Sequence, residues 1–391
     1  MISLSASAGI LFFTQRRNSV FDALSISALF IWRILLRHGQ QRRLPKSLII
    51  WTILYLISYG VGALISENRH WPFPELGSFR YVFVAGLLFT APLPDQDRKT
   101  IIIFLFMTAA LSGLIGILQY FGFIHMDYPR PHGFSPHPIL YAAMLSFVCG
   151  SSVILYFPLS KNPFQTKKER YFLLTTFLLT FGGIFLSGSR GVWLALVVAC
   201  TVTLFIYNRK KAVSFLLTII IVCVIIFALS DTLRQRAVSI VTFFNTEDTV
   251  GSTGSRIELW KGALLIFKES PILGSGIWDF EANINKLIKE KKLNNVDTAV
   301  HAHNIFFQAL ATRGIMGLLF TSGLLASLMI WGKKEIKCEG RVGGYIIILC
   351  TVLTIMGGLT EDNMELTKYL SIFSMTIGLI GPYGDRDSKV T

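Results

Sequence analysis

Two histidines stand where the longest polar stretch of the chain meets an apolar run, in His301-Ala302-His303-Asn304. An ordinary imidazole titrates near pH 6.5 and can accept a proton from a hydroxyl group at neutral pH. His303 is therefore the candidate general base, and His301 and Asn304 are candidates for supporting it. A histidine at a helix start can also be a simple capping or solvated residue, so spacing alone leaves both interpretations open.

The His-x-His spacing also permits metal ligation, but no cysteine, aspartate or glutamate set nearby in the sequence completes such a site. The five cysteines show no metal-ligand spacing. Neither an Asp-x-Asp motif nor a glycine-rich nucleotide loop is evident. The sequence therefore predicts chemistry without a metal ion or other cofactor.

Arginines supply the second kind of chemistry. Arg190 lies in a Gly-Ser-Arg-Gly turn between two apolar runs, and Arg256 stands at the start of a predicted helix that Thr253 or Ser255 would cap. Arg130 belongs to a proline-rich segment and is a supporting candidate. Guanidinium groups bind phosphates bidentately and keep their charge. With a histidine base, they suit displacement of a phosphate or pyrophosphate leaving group. The alternatives are a snorkelling flank for Arg190, an exposed side chain for Arg256 and a stiff solvated loop around Arg130.

Two further sets of residues rank lower. His132 and His137 accompany Arg130 in the proline-rich segment. An acidic loop close to the C-terminal end holds Glu361, Asp362 and Glu365, which could help with an acceptor or merely mark the loop.

Composition shows what must position these groups. Hydrophobic residues make up 52% of the 391 residues and charged residues 15%, and mean hydropathy is +0.56. Soluble domains carry about 25% charged residues. Continuous apolar runs predict an all-α polytopic membrane protein with about twelve transmembrane helices. The predicted spans are Ile2–Thr14, Val20–Leu36, Ser47–Ile65, Phe79–Pro92, Thr100–Tyr120, His137–Phe157, Tyr171–Ser187, Gly191–Tyr207, Ala212–Ser230, Asn304–Trp331, Val342–Leu359 and Glu365–Gly381.

This division gives nine spans in residues 1–230, one long loop in 231–303, and three spans with a short tail in 304–391. Basic residues gather in alternate loops, so the net charge of +14 indicates a positive-inside topology and not a nucleic-acid partner. Both termini are then cytoplasmic, and the long loop is a helical cap on the other side. The Arg16-Arg17 pair does not fit the pattern.

The chain resembles the O-antigen ligase family of bacterial inner-membrane proteins. The segment His303–Gly317 is similar to the family's His-Asn, Leu-Gln-x-Leu and Gly-x-x-Gly signature, with Phe307 where leucine is usual. Gly188–Gly191 matches a second motif. Ser255-Arg256 with Trp260, followed by Pro271–Gly276, matches a third, and Arg130–Pro138 resembles a weaker one.

The resemblance implies a metal-independent, inverting glycosyltransferase of the inner membrane, with its active site facing the periplasm. It implies an undecaprenyl-pyrophosphate-linked glycan as donor and, for a ligase, lipid A–core as acceptor in lipopolysaccharide biosynthesis, within membrane lipid. It assigns His303 as general base and Arg190 and Arg256 as pyrophosphate ligands.

Other functions remain open at this point. O-antigen polymerases and protein O-oligosaccharyltransferases share the motifs and differ in acceptor; the oligosaccharyltransferases tend to carry an added C-terminal region. A transporter for a lipid-linked anion would predict charges near mid-bilayer and repeat symmetry. A purely structural membrane subunit would not need these arginines for its function.

Overall fold

The computed structural model describes residues 44–68, 80–90, 93–157, 159, 162–229, 252–296, 300–337, 341–365 and 367–381. Every regular element in these ranges is helical. The α-helices are α1 Lys46–Ile65, α2 Arg80–Thr90, α3 Asp95–Tyr120, α4 Pro138–Tyr156, α5 Lys167–Leu186, α6 Arg190–Tyr207, α7 Arg209–Leu229, α8 Ser252–Glu269, α9 Phe280–Lys289, α10 Ile305–Lys337, α11 Val342–Gly358 and α12 Thr367–Ile380.

The described ranges contain 6 helices long and apolar enough to cross a bilayer, namely α1, α3, α4, α5, α6 and α10. Helices α11 and α12 are apolar but shorter. Helix α2 covers 11 residues of the span predicted over Phe79–Pro92, and residues 79, 91 and 92 lie outside the described residues. The predicted spans Ile2–Thr14 and Val20–Leu36 lie outside the described residues.

Helix ends differ from the predicted ones where polar residues are involved. Helix α3 begins at Asp95 instead of Thr100, with Asp95 and Asp97 in its first turn. Carboxylates there interact favourably with the positive end of the helix dipole. Helix α10 continues from Trp331 to Lys337, with Lys334 and Lys337 in its last turn.

Small residues let the helices approach closely at the centre of the bundle. Gly113 of α3 faces Gly183 of α5, and a Cβ atom on Gly183 would lie 3.0 Å from the Gly113 Cα atom. A larger residue at either position would push the two backbones apart. The buried hydroxyl of Tyr141, on α4, donates to the Ser112 carbonyl at 3.0 Å and ties the third helix to this crossing.

Helix α10 is broken at Gly314, whose φ of 64° and ψ of −159° lie outside the helical region. The segment 271–276 docks on this break. The amides of Ser275 and Gly276 donate to the carbonyls of Ala311 and Thr312 at 3.0 Å each. The Pro271–Gly276 motif and the glycine-containing part of the His303–Gly317 motif thus pack against each other. This contact attaches the segment that follows α8 to α10.

The polar cap formed by α8 and α9 has its own small core, which includes Leu259, Ile266, Phe280 and Ile284. Asp279, just before α9, anchors this cap to α1. Its carboxylate accepts hydrogen bonds from the amides of residues 67 and 68 at 2.8 and 2.9 Å. The cap is therefore held at both α1 and α10, over one end of the helix bundle.

Candidate functional site

A cavity of about 210 Å³ opens at the end of the bundle that carries the cap. Its polar lining contains the three candidate arginines together with one carboxylate: Arg130, Arg190, Arg256 and Glu361. Its apolar lining comes mainly from α4, α6 and α11: Ile139, Leu140, Ala143, Val192, Ala195 and Leu353. The cavity therefore joins a cationic mouth to an apolar wall.

Glu361 joins this cavity to the two histidines. Its Oε1 atom lies 3.0 Å from His303 Nδ1 and 3.4 Å from His301 Nε2. A carboxylate only accepts hydrogen bonds, so Nδ1 of His303 is the donor, and in the neutral imidazole Nε2 then carries the lone pair. His303 has a φ of 49°, an uncommon value for a residue other than glycine. The local backbone thus holds this side chain in a specific orientation.

Asn304 positions His303 through the backbone. Its side-chain oxygen accepts from the amides of Phe306 and Phe307 at 2.9 and 3.2 Å, which caps α10. Its side-chain amide donates to the carbonyl of Leu359 at 3.2 Å. This last bond brings the segment that carries Glu361 to the start of α10, so Asn304 fixes both partners of the carboxylate–histidine pair.

Trp260 fixes α8 against the same region. Its indole nitrogen donates to the Ala302 carbonyl at 3.0 Å, and its ring stacks on Phe307 with centroids 5.4 Å apart. Helix α8 begins at Ser252, so Arg256 lies in its second turn. The prediction that Thr253 or Ser255 would cap the helix and leave Arg256 at its start is therefore wrong. Its side chain still lines the cavity because Trp260 anchors the helix.

Arg190 is the first residue of α6 and follows Gly188, whose φ is 68°. The glycine at 191 lets a neighbouring loop come close, since a Cβ atom there would meet the side chain of Thr360. Thr360 precedes Glu361 in the chain. The Gly-Ser-Arg-Gly turn thus positions the arginine and also admits the acidic loop.

A buried glutamine holds the loop that carries Arg130. The Gln119 side-chain oxygen accepts from the amides of His132 and Gly133 at 3.2 and 2.8 Å. Its amide group donates to the Gly133 carbonyl at 3.1 Å. Because three bonds fix the backbone two to three residues away, Arg130 projects from a rigid segment.

The electrostatics of the site favour a negative Glu361 and a neutral His301. Burial opposes ionisation of Glu361, but the hydrogen bond from His303 and the electrostatic interactions with the two histidines and Arg256 outweigh it, so its pKa is lowered. Burial lowers the pKa of His301 to about 4; the nearby Glu361 acts in the opposite direction. An ionised carboxylate beside His303 would stabilise an imidazolium formed by proton transfer.

The three groups His301, His303 and Glu361 also have ligand atoms within 4.8 Å of one another, close enough to share a metal ion. The sequence argument that no acidic residue completes the histidine pair is therefore wrong as geometry, because the carboxylate comes from a distant loop. In the part of the chain that the structure describes, no fourth protein ligand joins this group. Structural zinc sites usually have four protein ligands and catalytic ones three.

The structure thus brings together five of the six predicted site residues directly: the three arginines at the cavity and the two histidines at Glu361. Asn304 lies beside them but uses its side chain to hold backbone. Sequence reasoning ranked Glu361 among the weakest candidates. The available signal was a carboxylate in a loop on the same predicted side of the membrane as the histidines.

Comparison with known proteins finds similar chains among the O-antigen ligases. A family model described as O-antigen ligase matches residues 175–322. An O-antigen ligase from Escherichia coli strain K12 is 24% identical over 341 residues, covering 80% of this chain and 77% of that protein. An uncharacterized protein from Haemophilus influenzae is 25% identical over 317 residues, covering 78% of this chain and 77% of its own. The matched family region holds Arg190, Arg256 and His303, whereas Arg130 and Glu361 lie outside it.

Proposed function

We infer a function from the resemblance of the motifs, and of residues 175–322, to the O-antigen ligases. We propose that the protein is an O-antigen ligase of the bacterial inner membrane. It would transfer a glycan from undecaprenyl pyrophosphate to a sugar hydroxyl of lipid A–core, with the cavity facing the periplasm. The observation that carries the proposal is the cavity that the three arginines line together with Glu361. Glu361 is in turn hydrogen-bonded to His303.

The proposed reaction is a single displacement at the anomeric carbon of the donor sugar. The acceptor hydroxyl loses its proton to Nε2 of His303 while its oxygen attacks that carbon. The bond from the anomeric carbon to the phosphate oxygen breaks, and undecaprenyl pyrophosphate leaves with the electron pair. Attack from the opposite face inverts the configuration.

The arginines act on the leaving group and Glu361 acts on the base. Negative charge grows on the pyrophosphate as the bond breaks, and the guanidinium groups at the cavity stabilise that charge more in the transition state than before it. The carboxylate of Glu361 accepts a hydrogen bond from the Nδ1–H group of His303, which selects the tautomer and stabilises the imidazolium. These roles require no metal ion, because the three arginine side chains at the cavity would supply the positive charge that stabilises the pyrophosphate.

The test is a reconstituted reaction in EDTA, with purified protein, undecaprenyl-pyrophosphate-linked glycan and lipid A–core. Glycan appearing on lipid A–core supports the ligase. Longer undecaprenyl-linked chains with lipid A–core unchanged would mean a polymerase, and loss of activity in EDTA that returns with a divalent metal would overturn the metal-independent mechanism. Full activity in a His303→Ala variant would exclude His303 as the base.

A Glu361→Gln variant tests the pairing. The glutamine side chain keeps most of the size of the original and removes its charge. We expect kcat to fall by about 100-fold, with a smaller change in the KM for the donor. A variant with unchanged kcat would contradict the assigned role of the carboxylate. Asp362→Asn, at the neighbouring position, is the matched control.

A further inference from the structure

Exposed aromatic side chains cluster between α3 and α4, at the end of the bundle that carries the cavity. Tyr120, Phe121 and Phe123 are 54%, 64% and 77% exposed. Tyr120 and Phe121 contact each other at the end of α3, a position typical of aromatic residues at a membrane–water boundary. Tyr128 is different, because its ring contacts the loop that carries Arg130.

Tyr128 packs against two histidines. Its ring centroid lies 5.8 Å from that of His132 and 5.7 Å from that of His137, with interplanar angles of 69° and 80°. These edge contacts hold the ring, yet 43% of the residue remains exposed. Gln119 fixes the backbone at His132 through its side-chain oxygen. The aromatic surface is therefore rigid and open at the same time.

His137 offers a hydrogen-bond donor beside this ring. Its Nδ1 atom accepts the amide of Ile139 at 3.2 Å as the N-cap of α4. A neutral imidazole with Nδ1 as acceptor carries its proton on Nε2. Burial lowers the pKa of His137, which keeps the ring neutral at pH 7. Its Nε2–H group is thus a fixed donor.

The same histidine lies within electrostatic range of the proposed catalytic groups. The charges acting on the pKa of His137 are those of Glu361, Arg130, His303 and His132, after the dominant effect of burial. Tyr128 precedes Arg130 by two residues, and Arg130 lines the cavity. The open aromatic ring is therefore part of the loop that contributes Arg130 to the cavity, and it contacts His137 at the start of α4.

We propose that Tyr128 and His137 form a sugar-binding subsite. One ring of a saccharide stacks on the exposed part of Tyr128, and one of its hydroxyl groups accepts the hydrogen bond of His137 Nε2–H. An open aromatic face with a fixed polar group matches a sugar, which has an apolar face and hydroxyl groups at its edge. The inference rests on the proposed function, since it places the sugar ring where glycan transfer requires one. That ring belongs either to the donor glycan or to the acceptor core.

The kinetic test compares Tyr128→Leu with the wild-type protein in the reconstituted reaction. Leucine keeps an apolar side chain but removes the aromatic face, so we expect KM for one of the two saccharide substrates to rise about 10-fold. The kcat value should change much less. A rise in KM for the donor assigns the subsite to the donor glycan, and a rise for lipid A–core assigns it to the acceptor. Unchanged KM for both substrates would overturn the subsite.

Two further variants separate stacking from a structural effect. Tyr128→Phe keeps the ring and should recover most of the affinity lost in Tyr128→Leu. Phe123→Leu is the matched control, because it removes an exposed aromatic ring from the same loop and should leave both KM values unchanged. Equal losses in Phe123→Leu and Tyr128→Leu would mean that these rings serve as membrane anchors and would overturn the subsite.

A binding measurement keeps this inference separate from the proposed function. A free oligosaccharide carrying a diazirine group is crosslinked to the wild-type protein, and the labelled peptide is identified by mass spectrometry. Labelling of the 121–137 segment that is lost in Tyr128→Leu supports the subsite even if no glycan is transferred. Labelling that persists in Tyr128→Leu would overturn the subsite even if the ligase reaction succeeds.

Discussion

Arg98 and Arg190 both lie near the start of an apolar helix, but at opposite ends of the bundle and in opposite surroundings. Arg98, in α3, is 1% exposed, and its guanidinium donates to the carbonyls of Leu88 and Gly378 at 3.1 and 3.0 Å. Arg190, in α6, is exposed and lines the cavity. Among the described residues, no hydrogen bond or ion pair engages the side chain of Arg190.

The same contrast separates the other arginines. Arg313 lies 3.8 Å from the ring centroid of Tyr59 and donates to Ser58 at 3.1 Å, and Arg341 donates to Glu335 at 3.2 Å. Arg130 and Arg256 resemble Arg190, because their guanidinium groups make no hydrogen bond or ion pair within the described ranges. Arginines whose guanidinium groups are hydrogen-bonded to the protein stabilise the fold, whereas arginines at the cavity with open donors can bind an anion.

The largest expected effect is on Arg190. In an Arg190→Ala variant we expect kcat/KM for glycan transfer to fall by about 100- to 1000-fold, because a fixed donor to the leaving group is lost. The melting temperature should change by no more than about 2 °C, since the substitution breaks no side-chain hydrogen bond or ion pair within the described structure.

Arg209 provides the control for this prediction. It follows the other end of α6 and contacts Phe205 by a cation–π interaction, so Arg209→Ala should leave transfer near the wild-type rate. If Arg190→Ala lowers the stability of the protein and leaves its activity unchanged, then Arg190 is a structural arginine and the contrast with Arg98 is wrong.

Arg98 should show the reverse behaviour. Arg98→Met keeps the buried aliphatic length but leaves helix-end carbonyls of α2 and α12 without their donor, which costs about 2–3 kcal/mol of stability. Thermal unfolding in detergent measures this loss. The fraction of protein that remains folded should turn over at the wild-type rate. Wild-type stability, or a rate defect per folded molecule, would contradict a structural role for Arg98.

The sequence predicted the helices better than their ends or their contacts. An apolar run of about 20 residues has few alternatives to a helix in a bilayer, and a described helix is found at each predicted span from Ser47 onward. Local polar residues decided the ends, as Asp95 and Asp97 did for α3.

For the site, motifs identified residues but not their partners. Arg190 and His303 were visible because each stands in a distinctive local pattern. Glu361 was not, since 58 residues separate it from His303. Its contact depends on the bond from Asn304 to the Leu359 carbonyl and on the lack of a side chain at Gly191. Pairings of this kind follow from tertiary packing, which no local pattern encodes.

The smallest expected effect concerns His301, a group at the cavity end that is bonded like the structural arginines. Burial lowers its pKa to about 4 from 6.5, so between these values the unfolded chain binds a proton that the folded protein does not. Stability from this group is complete above about pH 6.5 and is lost as the pH falls towards 4. Between pH 7 and 5, the free energy of unfolding of the wild-type protein should fall by about 1 kcal/mol more than that of His301→Gln, allowing for partial solvent screening. Thermal unfolding across this range measures how the free energy of unfolding changes with pH, and this change is the slope compared here. The control is His125→Gln, at a histidine whose side chain is 91% exposed, which should keep the wild-type slope. If the slope of His301→Gln equals that of the wild type, then His301 is not held neutral by burial, and the cavity end is more hydrated than its packing indicates.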